Sequence, residues 1–87
     1  MSISDEQRFR DFQELVVYVF GSPRLYEALR ELDSRDDTGF EEANNSPHTF
    51  LESYGILLSS TVKVAFYRNS PACIRINAWG YRAEFCL

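Results

Sequence analysis

Few side chains in this chain could do acid–base, nucleophilic or metal chemistry, and their spacing does not assemble them. His48 is the single imidazole. Any Ser-His-Asp or Cys-His arrangement would have to use it, and no G-x-S-x-G turn marks a nucleophile nearby. It falls in the first turn of a predicted helix, where the helix dipole disfavours a cation, a setting that suits a surface residue better than a catalyst. Cys73 and Cys86, thirteen positions apart, do not make a metal site with one His. On a helix the adjacent Glu41 and Glu42 would diverge by about 100°, a poor acid/base pair. Asp33, Asp36 and Asp37 sit in a polar stretch but lack the alternating oxygen ligands and closing Glu of a calcium loop. The expectation is a protein that is not an enzyme, with no catalytic residue, no metal ligand and no cofactor.

Recognition is better served. Tyr67, Trp79, Tyr81 and Arg82 could form an aromatic and cationic face, and Phe66 and Arg75 complete a candidate partner-binding set. Strand aromatics more often serve cross-strand packing, so this reading competes with a purely structural one. Seven Phe, five Tyr and one Trp exceed what a core this small requires, which leaves a ring or two at the surface. A sheet of two or three strands must also expose an edge, and an edge can accept a peptide strand or a partner protein.

Composition narrows the partner. With 87 residues the chain is one domain, residues 1–87, near the lower end of what folds unaided. Its net charge of −4 argues against phosphate-backbone binding, so no nucleic acid is expected. No apolar run approaches membrane-spanning length, so no membrane is expected either. The polar start Met1-Ser2-Ile3-Ser4-Asp5-Glu6 has no apolar stretch of the secretory kind. The chain therefore reads as cytoplasmic, with reduced thiols as the default. A Cys73–Cys86 bridge becomes feasible only if their strands pair.

The elements follow from periodicity and punctuation. Ser4 with Gln7 reads as a capping box. Phe9, Phe12, Val16, Val19 and Phe20 then recur at helical spacing, Leu15 broadens the stripe, and Gly21 supplies a C-terminal residue free to take positive φ. Ser22-Pro23 opens a second helix with Leu25, Tyr26, Leu29 and Leu32 as its buried stripe. Residues 33–39 contain no apolar side chain and read as a loop, the clearest hinge in the chain. Phe40 to Ala43 can add a helical turn. Ser46-Pro47 repeats the Ser-Pro opening, and the third helix ends at Gly55, after which Ile56 or Leu57 packs back. From Val62 the period becomes two: Val62, Val64, Phe66 and Arg68 alternate with Lys63, Ala65 and Tyr67. After a turn at Asn69-Ser70-Pro71-Ala72, Ile74, Ile76 and Ala78 alternate with Arg75, Asn77 and Trp79. Gly80 breaks that strand, and Tyr81 to Cys86 form a third strand or an extended tail. The expected fold is α+β, three helices followed by a small antiparallel two- or three-stranded C-terminal sheet.

Pro47 and its short helix, the run Phe50-Leu51-Glu52-Ser53-Tyr54-Gly55-Ile56, then Leu58, Val62-Lys63-Val64, Asn69-Ser70-Pro71 and Ile74-Arg75-Ile76 resemble the nitrile-hydratase-like leader peptide domain. Pro23-Arg24-Leu25-Tyr26 looks similar to the start of that family's preceding helix, and the resemblance covers most of residues 9–79. Such leaders are handles on precursors of ribosomally made, post-translationally modified peptides, and the same module is found in the nitrile hydratase α subunit. The resemblance implies a non-catalytic recognition module whose partner is a protein such as a peptide-modifying enzyme. Two features depart from the family. No Gly-Gly or Gly-Ala cleavage site is present, since Tyr81 follows Gly80, and the C-x-x-C-S-C metal motif is missing, so hydratase catalysis is not implied. The alternative is a stand-alone structural or regulatory protein that dimerises through its exposed strand edge.

Overall fold

A computed structural model describes residues 3–69 and 71–87, with side chains from Asp5 onward. The order is α1 (Ile3–Phe20), α2 (Pro23–Asp33), α3 (Asp37–Asn45), α4 (Pro47–Glu52), β1 (Lys63–Arg68), β2 (Ala72–Ala78) and β3 (Tyr81–Cys86). The class is α+β as expected, with four helices where three were expected. The antiparallel sheet runs β1-β2-β3. All four helices pack on one face of it, α1 against β3, α2 against β2, and α3 and α4 against β1.

The extra helix extends the helical turn expected at Phe40 to Ala43, taking Asp37, Thr38 and Gly39 from the stretch expected to be a hinge. Asp36 is an N-cap, its carboxylate accepting the Gly39 backbone N–H at 2.8 Å. Only residues 34–36 are left between α2 and α3, and they are tied down. Arg68 donates to the carbonyl of Arg35 at 2.8 Å and lies over the Phe40 ring at 4.7 Å. Asp33 accepts the Ala72 N–H at 3.1 Å, which fixes the end of α2 to the start of the central strand. Two of the three aspartates that superficially suggest calcium thus hold backbone donors.

Other signals divide. Ser22 caps α2 as expected, accepting from the Arg24 N–H, but Ser46 makes no side-chain cap bond at α4. Gly21 ends α1 by close approach, not by positive φ: a Cβ there would meet the Val17 carbonyl oxygen at 2.6 Å. The Ser4–Gln7 cap lies outside the described side chains, and the turn through Ser70 lies outside the described residues.

The core lies between helices and sheet. Leu25, Ala28, Leu29 and Leu32 of α2 and the inward row Ala72, Ile74, Ile76 and Ala78 of β2 are buried. Phe66 of β1 is 2 % exposed and meets Phe50 edge-on at 5.4 Å. Ile56, not Leu57, packs back after α4. Leu15, Val16 and Phe20 of the expected helical stripes are partly buried, and two members stay exposed: Phe9 at 49 % and Tyr26 at 51 %.

Candidate functional site

The sheet register sorts the candidate residues. Period two along each strand sends alternate side chains to opposite faces. The face away from the helices carries three cross-strand rows: Lys63–Asn77–Arg82, Ala65–Arg75–Glu84 and Tyr67–Cys73–Cys86. Tyr67, Arg75 and Arg82 therefore share one uncovered face, as the aromatic and cationic reading requires. Phe66 and Tyr81 do not join them. Phe66 is in the core, and Tyr81 turns toward α1, stacking on Phe12 at 5.5 Å and touching Phe9 at 5.6 Å. For these two the cross-strand alternation decides the outcome, since each is an odd step from its neighbours on the open face.

The middle of the open face is a bonded network. Arg75 Nε donates to Glu84 Oε2 at 2.8 Å, the Tyr67 hydroxyl donates to Glu84 Oε1 at 2.9 Å, and the Arg75 guanidinium lies 4.9 Å from the Tyr67 ring centre. The bond from Arg75, reinforced by the one from Tyr67, holds the Glu84 carboxyl below its ordinary range. The same bond to Glu84 raises the Tyr67 phenol. Lys63 and Arg82 flank this network, and among the described residues neither is in an ion pair.

The charge is segregated. Residues 1–52 hold twelve carboxylates against five arginines, a net −7, whereas residues 53–87 hold Lys63, Arg68, Arg75 and Arg82 against Glu84, a net +3; together they give −4. Arg68 turns to the helix side, and on the open face Lys63, Arg75 and Arg82 still outnumber Glu84, so an acidic chain presents a cationic sheet face. Composition alone concealed this, although the run from Ser53 to Ala83 with no Asp or Glu was readable.

Trp79 lies at the end of the face. Ala78 pairs with Tyr81, leaving the two-residue turn Trp79-Gly80. Both residues have positive φ, 53° and 87°, as a type I′ turn requires. Expected as a strand residue, Trp79 is instead a turn residue. A bulky side chain is costly there, and this one is 38 % exposed, so the backbone strain is not offset by full burial.

Cys73 and Cys86 correct the reduced-thiol expectation, for they form a disulfide. The Leu87 N–H bonds the Ala72 carbonyl, which makes the adjacent Cys73–Cys86 position a non-hydrogen-bonded pair, and their Cα atoms are 4.1 Å apart. Such positions are the close ones in an antiparallel ladder. The bridge depended on register, which cysteine spacing does not contain.

His48 is half-buried and structural. Its Nε2 lies 2.8 Å from the Val62 carbonyl oxygen and 3.2 Å from that of Ser59, so it carries a proton and donates to both. Among the described residues no group of three or more His, Cys, Asp or Glu could hold a metal ion, and no helix is long and apolar enough to cross a membrane.

The two sheet edges differ. Along β1, Asn44 occupies both backbone groups of Phe66, and His48 takes the Val62 carbonyl just before the strand. Along β3, with residues 81, 83 and 85 bonded inward to β2, the backbone groups of Arg82, Glu84 and Cys86 point outward. Among the described residues no side chain takes them. No family model matches this chain, and neither a curated protein nor a solved structure does.

Proposed function

We propose that this chain is a non-catalytic recognition module, a handle similar to the nitrile-hydratase-like leader domain that a peptide-modifying enzyme grips. The observation that carries the reading is the uncovered sheet face on which Tyr67, Arg75 and Arg82 meet, ending in an exposed Trp79 held at positive φ. Strain retained beside an exposed aromatic is what a contact surface tolerates and a purely structural turn does not. In the cytoplasm, where such a handle works, the cystine must resist reduction: Cys73 is fully buried, and a thiolate can reach the bridge only at the exposed Cys86. A stand-alone interaction protein that pairs through a strand edge is the second reading, and the bare edge of β3 favours it.

Intact-mass spectrometry of the chain isolated from its native host tests the handle. Trimming or modification near Cys86 or the tail supports it. A chain that remains unmodified and untrimmed while the host's modifying enzymes are expressed overturns it.

A further inference from the structure

The free edge of β3 is complementary to itself. Its outward backbone groups belong to Arg82, Glu84 and Cys86, and in an antiparallel pair such residues must face one another to exchange both bonds. A dyad at Glu84 would set two carboxylates directly opposite, which is unfavourable. A dyad at Ala83 sets Arg82 opposite the second copy's Glu84, twice, on the open face. Arg82 is in no ion pair of its own among the described residues. Glu84 accepts bonds from Arg75 and Tyr67 and still has lone-pair sites for another donor.

The helix-side face matches in the same register. The small Ala83 meets its own copy at the centre, and Tyr81 comes opposite Phe85. Phe9 touches Tyr81 at 5.6 Å and Tyr26 touches Phe85 at 6.1 Å, so the Phe9 end of one molecule meets the Tyr26 end of the other. These two rings are the ones that helical periodicity assigns to the core and the fold leaves half exposed. A second copy supplies the cover that the single chain lacks.

We propose that two copies pair antiparallel through β3 about a dyad at Ala83, making a continuous six-stranded sheet with reciprocal Arg82–Glu84 contacts. The interface is isologous and closes, so it stops at two. It rests on the second reading, pairing through a strand edge; of the open-face residues it engages Arg82 and leaves Tyr67 and Arg75 uncovered.

Charge reversal tests it by sedimentation equilibrium of the full chain. The parent should be dimeric at about micromolar concentration. R82E alone and E84R alone should each lose at least about tenfold in self-association, because like charges then face each other, and an equimolar mixture should recover the dimer as a heterodimer. Melting curves check that R82E is folded; among the described residues the Arg82 side chain makes no ion pair to lose, and only its longer-range attraction to Glu84 is removed. Should E84R fail to fold, E84P compared with E84A replaces it: both remove the carboxylate, but only Pro removes the outward N–H, so E84P must be the weaker associator. A parent that is monomeric throughout, an R82E that associates undiminished, or folded single variants whose mixture stays monomeric overturns the proposal.

Discussion

The carboxamide of Asn44 mimics a neighbouring strand to Phe66. Its Nδ2 donates to the Phe66 carbonyl oxygen at 2.6 Å and its Oδ1 accepts the Phe66 N–H at 2.8 Å. One side chain from α3 therefore satisfies both outward groups in the middle of β1 and closes that edge to other chains. N44A should destabilise the fold by about 1–2 kcal/mol, because two backbone groups lose their partners. N44D, which keeps the acceptor and loses the donor, should fall at least as far. Chemical denaturation of both variants checks this, and an N44A as stable as the parent would remove the role assigned to Asn44.

The cystine closes a loop of thirteen-residue separation. Replacing both cysteines with alanine should cost about 3 kcal/mol, mostly by releasing the unfolded chain. Unreduced protein should give no reaction with a thiol reagent until it is unfolded and reduced. Rapid labelling of the native protein would show that the bridge is absent.

Acid should weaken the open-face network. Bonds from Arg75 and Tyr67 lower the folded-state pKa of Glu84 from its ordinary 4.5, so its contribution is complete above that value and is lost as pH falls through the depressed folded value. Because Glu84 is exposed, added salt should shrink the effect. Thermal melts from about pH 6 to about pH 3 should show a shallower loss in E84Q than in the parent. Equal slopes would mean the network adds no stability.

His48 holds the segment before β1. H48A should lose the contacts to the Val62 and Ser59 carbonyls and cost about 1 kcal/mol. Amide exchange should accelerate in residues 57–62 and stay unchanged in α2. Unchanged exchange in the segment would leave His48 without this function.

Trp79 sets stability against recognition. W79N suits a type I′ turn and should stabilise the hairpin by about 1 kcal/mol, since Asn tolerates positive φ. If the exposed ring is a contact for the modifying enzyme, the same variant should be processed more slowly in the host. A stabilised variant processed at the parental rate would sever Trp79 from recognition.

How much of this was legible beforehand depends on the range of the interaction. The change from a 3.6 to a 2.0 period after Ser59, the Ser22-Pro23 cap and the inward rows of Ile74, Ile76 and Phe66 are local patterns, and local propensity with one-sided burial was enough to specify helices followed by an antiparallel sheet. Asp36 was misread because its N-cap bond and a loop draw on the same residue types. What only the tertiary structure decided are the pairings between distant residues: Cys73 with Cys86, Arg75 and Tyr67 with Glu84, Asn44 with Phe66. Each needs a strand register or a helix placed beside an edge, and a one-residue slip along a strand would turn its side chains to the wrong face. The aromatic and cationic residues were visible in the chain, but strand alternation chose among them, leaving Tyr67, Arg75 and Arg82 on the open face and turning Phe66 and Tyr81 inward.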